Sequence, residues 1–263
     1  MSLCPPEHIK VISPLAMPIN YLRGFASPER TDANNRRLGR WLAFVAGAAN
    51  AGGFLAVGQY TSHMTGVVSS MADNLALGEI ELVVAGLSAL VAFLFGAATS
   101  AILINWGRRR RAQSVYATPL LLEAALLLCF GLIGSTLGHH RLLFVSATVG
   151  VLCFVMGLQN AIITKVSRAE IRTTHVTGLV TDIGIELGKL VYWNFAGMAI
   201  PDVRADRRKL ALLSSLLGMF FVGGLVGAVG FKHFGFLSTL PLAGVLLTLA
   251  AVPVLDDIVG ERR

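Results

Sequence analysis

The chain has 263 residues, of which 54% are hydrophobic and 14% charged, and a formal net charge of +7. Soluble globular proteins carry about 25% charged residues. Here the deficit is concentrated in stretches of about 20 residues nearly free of charge, the length that crosses a hydrocarbon core as an α-helix. An ordinary soluble domain is therefore excluded, and the basic residues sit between the apolar stretches, which points to membrane topology and not to nucleic acid.

Residues 1–39 carry several prolines and scattered charges, without the continuous apolar core of a cleavable signal peptide, and read as a cytosolic tail. Apolar spans follow at 41–58, 82–106, 117–137, 142–164, 209–231 and 236–256. Two further stretches, 61–79 and 173–196, are different: each opens with a hydroxyl-rich run and contains acidic residues. Cys4, Cys129 and Cys153 have neither metal-ligand nor disulfide-framework spacing.

The two unusual stretches belong to an internal repetition. GAANA at 47–51 recurs as GLQNA at 157–161, and TSHMTG at 61–66 recurs as TTHVTG at 173–178. FLFGAATS at 93–100 aligns with FFVGGLVG at 220–227, and Pro119 and Pro241 open the last span of each unit. The expected architecture is an all-α polytopic transmembrane bundle of two repeats, 40–138 and 139–258, between the tail 1–39 and a short C-terminal tail 259–263.

Basic residues fix the topology. Arg36, Arg37 and Arg40 precede the first span, the run 108–111 follows the second, and Lys165, Arg168 and Arg172 follow the fourth. Arg204, Arg207, Arg208 and Lys209 precede the fifth span, and Arg262 and Arg263 close the chain. Six spans with two re-entrant elements put all of these clusters on one side, together with Trp41, Trp106 and Trp193; eight full spans would put two clusters outside. Six spans make the second repeat inverted relative to the first, an architecture recurrent in transporters and channels. Eight spans with parallel repeats is the alternative.

His63 and His175 are the leading chemical candidates, each placed where a polar approach becomes a helix. Ser62 or Thr174 is expected to cap that helix, and with Thr61, Thr65, Thr173 and Thr177 to line a site at the helix N-terminus, where free N–H groups and the dipole favour a polar or anionic guest. The bland alternative is that both imidazoles are core residues bridging the two elements. Asp73, Asp182, Glu186 and Glu123 fall at membrane depth, where an unpaired carboxylate is costly, so each is a candidate for ion or proton coupling or else a structural tie. Asp182 and Glu186 are one helical turn apart, and Asp182 close to His175 would form a proton relay. Asn50 and Asn160 occupy matched places and suit either helix–helix glue or pathway lining. Gly96 with Ser100, and Gly223 with Gly227, form small-residue faces for close packing.

LGRWLAFVAG at 38–47, NAGGF at 50–54 and YTSHMTG at 60–66, with GLQNA at 157–161 and THVTG at 174–178, resemble the YoaK-like family of bacterial membrane proteins. The resemblance runs from about residue 30 onward. It implies a multi-pass protein of the bacterial inner membrane and supplies neither a substrate nor site residues; the placement of the basic clusters puts both termini in the cytoplasm.

No phosphate-cradling GxxxxGK[ST], HExxH, GxSxG or CxxC motif occurs, so neither a cofactor nor enzymatic activity is expected. The expected function is a channel or secondary transporter for a small polar or ionic solute. A membrane-embedded enzyme acting on a lipid or quinone, and a non-transporting scaffold or sensor, are the alternatives. Expected partners are membrane lipid, the solute and a second copy in a homo-oligomer.

Overall fold

The computed structural model describes residues 31–110, 112, 114–134, 141–167, 173–192 and 203–260. The tail through residue 30, Arg111, Arg168, Arg172, Trp193, Arg262 and Arg263 lie outside them. The regular elements among the described residues are all helices, with no strand. In chain order the helices are α1 (Asp32–Val57), α2 (Met64–Leu77), α3 (Ile80–Arg109), α4 (Ala117–Gly134), α5 (Arg141–Val166), α6 (Val176–Val191), α7 (Arg207–Phe234) and α8 (Thr239–Gly260), with a 3₁₀ turn at Gly235–Ser238.

Each apolar span forms one helix, and each unusual stretch forms a short one. At 1.5 Å per residue, α2 with 14 residues and α6 with 16 extend roughly 21 and 24 Å, too short for a hydrocarbon core of about 30 Å. Four stretches are long and apolar enough to cross a membrane: Asp32–Val57, Ile80–Arg109, Ala147–Val166 and Arg207–Val259, the last containing both α7 and α8. The apolar helices, with large exposed side chains such as Phe95, Ile102 and Phe221, mark a membrane protein. α1 begins at Asp32, not near Trp41, because Thr31 caps it by accepting from the Asn34 N–H at 3.3 Å and Leu38 and Leu42 are fully buried.

Two closely packed helix pairs form the centre. In one, α1 lies on α7: a side chain at Gly47 would collide with the Phe220 carbonyl, and one at Gly223 with the Phe44 carbonyl. In the other, α5 lies on α3: a side chain at Gly157 would collide with the Phe93 carbonyl, and one at Gly96 with the Phe154 carbonyl. Glycine lets the backbones touch, which is how helices associate where burial of apolar surface gives no drive. Arg40 Nε donates to Ser215 Oγ at 2.9 Å below the first contact and Gly52 abuts the Phe231 ring above it, so α1 and α7 run in the same direction. Lys165 donates to Asn105 Oδ1, so α3 and α5 also run together. Gln159 Nε2 donates to the Leu42 carbonyl at 3.2 Å while Gly53 meets Leu152, so the two pairs are opposed. α4 and α8 run antiparallel to each other, through Gly131 against Thr239 and the Ser114 N–H donating to Asp257.

The short helices flank this centre. α2 turns back into α3 at Gly78, whose φ of 81° is the left-handed conformation that favours glycine, and packs mainly on α3. α6 packs mainly on α7. α2 starts at the depth of Phe93, 13 residues or roughly 20 Å into α3, and α6 starts at the depth of Phe220, equally far into α7. Among the basic residues, Arg108 donates to the Tyr116 hydroxyl at 2.7 Å and Arg110 stacks on Trp106 at 4.2 Å.

Gly47→Val and Gly157→Val are each expected to destabilise the fold by about 1–3 kcal/mol, the cost of overpacking against backbone that cannot yield. Gly150→Ala, with open space at its Cβ position, is expected to be neutral or slightly stabilising. Thermal unfolding of the detergent-solubilised variants checks both outcomes.

Candidate functional site

A cavity of about 610 Å³ lies where α2 and α6 begin. Asn50 of α1, Tyr60, Ser62, His63, Met64, Thr65 and Phe93 of α3 line it from one half of the chain. Thr174, His175, Val176, Thr177, Gly178 and Phe220 of α7 line it from the other. His63, Thr65, His175 and Thr177 are exposed, so the cavity opens at the surface.

Two matched clamps hold its walls. Asn50 Oδ1 accepts from the Ser62 N–H at 3.2 Å and from Ser62 Oγ at 3.1 Å. Asn160 Oδ1 accepts from Thr174 Oγ1 at 2.7 Å, while its amide donates to the Met156 carbonyl at 2.9 Å. Contrary to the expectation from sequence, Ser62 and Thr174 do not cap α2 and α6: they stand one residue before the N-cap positions and donate their hydroxyls to the buried Asn side chains. The N-cap positions are His63 and His175, in nearly identical backbone conformations, and neither side chain bonds to its own first turn. The first-turn N–H groups of both helices are thus left without side-chain caps, facing one cavity. The His63 ring lies where a side chain at Gly66 would be.

Of the remaining sequence candidates, Thr61 and Thr173 are fully buried behind the cavity wall, and neither hydroxyl has a partner among the described residues. The carboxylates stand elsewhere. Asp73 is exposed on α2, beyond the cavity. Asp182 pairs with Lys209 at 3.7 Å and not with His175. Glu186 accepts from Lys189 at 2.9 Å and from the Asp206 N–H at 2.8 Å, tying the end of α6 to the start of α7. Glu123 is fully buried in α4 outside the cavity, with both oxygens unpartnered among the described residues. Phe93, Phe220 and Tyr60 join the site without having been singled out from sequence; the Phe pair carried a signal, because both stand at the head of the matched segments 93–100 and 220–227. Among the described residues no group of three or more His, Cys, Asp or Glu could hold a metal ion.

The sequence model of the family described as "protein of unknown function (DUF1275)" matches residues 38–252. The chain belongs to the DUF1275 family. The matched region runs from the buried first half of α1 into α8 and contains both clamps and the whole cavity. No curated protein and no solved structure matches this DUF1275 chain.

Asn50→Ala and Asn160→Ala each release one wall of the cavity and are expected to cost about 0.6–2 kcal/mol, as hydrogen bonds between membrane helices do. Thermal unfolding of the single and double variants measures the loss. At the start of α7, the Lys209 and Arg208 N–H groups hold the Asp206 carboxyl below the ordinary carboxylate range. Its contribution to stability is present above the ordinary carboxylate pKa and is lost as pH falls through the lowered one. Asp206→Ala is expected to weaken the decline in melting temperature on acidification, measured in the same assay.

Proposed function

We propose that this protein is a channel or secondary transporter for a small polar or ionic solute, bound between the starts of α2 and α6. The observation that carries the reading is the convergence of two helix N-termini, without side-chain caps, on one cavity. First-turn N–H groups and both positive dipole ends favour an acceptor-rich or anionic guest. Among the described residues, the cavity lining contains no carboxylate and no ammonium or guanidinium group. The two imidazoles and the hydroxyls of Thr65, Thr177 and Tyr60 add further polar groups. Proton coupling on this reading belongs to His63 and His175, because Asp182 and Glu186 are engaged with lysines outside the cavity.

The accompanying architecture is a six-span protein of the bacterial inner membrane with two half-depth helices and inverted repeats, termini in the cytoplasm. What supports it is the length of α2 and α6 and the opposed direction of the two glycine-bonded pairs. Alternating access then follows from rocking one repeat against the other around the fixed site. This reading assigns no catalytic group. The rival enzyme acting on a lipid or quinone finds some support in an apolar groove of about 460 Å³ between α1 and α7, which shares Asn50, Tyr60, Val176 and Phe220 with the cavity.

The test is flux of small inorganic anions and neutral polar solutes into liposomes containing the purified protein. His63→Ala with His175→Ala is expected to reduce the rate at least tenfold while the melting temperature stays within a few degrees. Undiminished flux in a folded double variant would sink the assignment of the site.

A further inference from the structure

We propose that Glu123 is a proton-binding site of the chain, separate from the cavity: it stands as the neutral acid in this conformation and releases its proton to water when α4 and α8 loosen from the central helix pairs. The inference rests neither on the solute nor on the roles of His63 and His175.

Glu123 is fully buried, and neither carboxyl oxygen has a hydrogen-bond partner among the described residues. Leu120, Ala124 and Leu127, its neighbours on α4, are fully buried with it in the main apolar core. α4 packs against α8, α5, α3 and the 3₁₀ turn at Gly235–Ser238, and none of them brings a charge to this level. α8 has no titratable residue from Thr239 to Leu255, α3 has none from Leu82 to Gly107, and the 3₁₀ turn has none. α5 has only Cys153 between Leu142 and Thr164, and α4 itself has only Cys129, which is exposed. Towards the start of α4, the Tyr116 hydroxyl is engaged by Arg108, and Asp257 accepts from the Ser114 N–H. An ionised carboxylate in such surroundings, with neither counter-ion nor donor, costs far more than the neutral acid. The proton is therefore the ligand that this site holds.

Two further unsatisfied polar groups share the level of Glu123. Gly107 of α3 abuts Val115, and Lys165 of α5 donates to Asn105 of α3, which sets the three helices in register. Counted from these contacts, Glu123 on α4, Gln159 on α5 and Ser100 on α3 all lie roughly 10 Å inside the same end of the bundle. Gln159 Oε1 and Ser100 Oγ are buried without partners among the described residues, as the Glu123 oxygens are. Gln159 Oε1 is an acceptor, and only the neutral carboxyl has a donor to offer at this depth. Packing does not call for the carboxyl: Val245 of α8, which stands as far beyond Pro241 as Glu123 beyond Pro119, is aliphatic. α4 and α8 pack mainly on one another, so they can part from α3 and α5 as a unit. Water entering from the near end then meets the acid. The O–H bond breaks, a water molecule takes the proton and the carboxylate remains; reprotonation restores the acid before the core closes.

Infrared difference spectra between the full-length protein and Glu123→Gln, both purified in detergent at neutral pH, test the proposal. The expected difference is the carbonyl stretch of a neutral carboxyl, which shifts on transfer to heavy water as the proton exchanges. Should Glu123→Gln fail to fold, Glu123→Val, which copies Val245, supplies the subtraction. A carboxylate band in its place overturns the proposal. So does a carbonyl band that never shifts in heavy water, which would mark a locked structural acid. In the same preparation dicyclohexylcarbodiimide, an apolar reagent that adds to neutral carboxyls, is expected to label the peptide carrying Glu123, less so as pH rises. An unlabelled peptide counts against the proposal, and protection by sodium ions would overturn it by making this a metal-cation site. Neither readout measures flux, so a failed transport assay leaves the proton site standing, and the reverse holds too.

Discussion

Backbone-to-backbone contact at four glycines sets the geometry of everything else. Gly47 and Gly223 let α1 touch α7, and Gly157 and Gly96 let α5 touch α3. A helix pair in an apolar medium gains little from hiding apolar surface, so close approach, with its many dispersion contacts, has to supply the association. Once both contacts form, Phe93 and Phe220 are fixed at one depth. The short helices that flank α3 and α7 then have their starts fixed at that depth too. The cavity is the space left between them.

Side-chain amides finish what the glycines begin. A chain that leaves α1, turns back and restarts as α2 has several polar backbone groups that need partners. Asn50 takes the N–H and hydroxyl of Ser62, and Asn160 takes the hydroxyl of Thr174. These bonds hold each restart against its preceding helix and turn the adjacent residue, His63 or His175, outward into the cavity. Ser62 and Thr174 stand one position before the N-caps His63 and His175, so α2 and α6 begin without a side-chain cap.

Among the described residues, charge lies outside the cavity and gathers at helix ends. Glu186, Lys189, Asp206, Asp182 and Lys209 form a connected group where α6 meets α7. Arg108 and Arg110 engage aromatic side chains at the end of α3. Glu123 stands apart from both groups, fully buried in α4.

The sequence alone determined the helical class, the helix boundaries to within a few residues for most spans, and the identity of the two short elements. These are local properties. An apolar run of a given length is a helix of that length, and a hydroxyl-rich hexapeptide between two such runs cannot continue the first. It also determined which residues would be matched, because TSHMTG and TTHVTG share their order. What only the tertiary structure decided was the company each residue keeps. Asp182 and His175 are seven positions apart, close enough to suggest a relay, but α7 brings Lys209 to Asp182 across a contact that no local pattern encodes. Ser62 and Thr174 have the chemistry of helix caps, and a more distant amide on the preceding helix wins their hydroxyls. The meeting of His63 and His175 in one cavity likewise depends on helix pairs that join residues far apart in the chain, Gly47 with Phe220 and Gly157 with Phe93. Spacing reports such neighbours only within a turn or two of helix; beyond that, backbone packing at the glycines settles them.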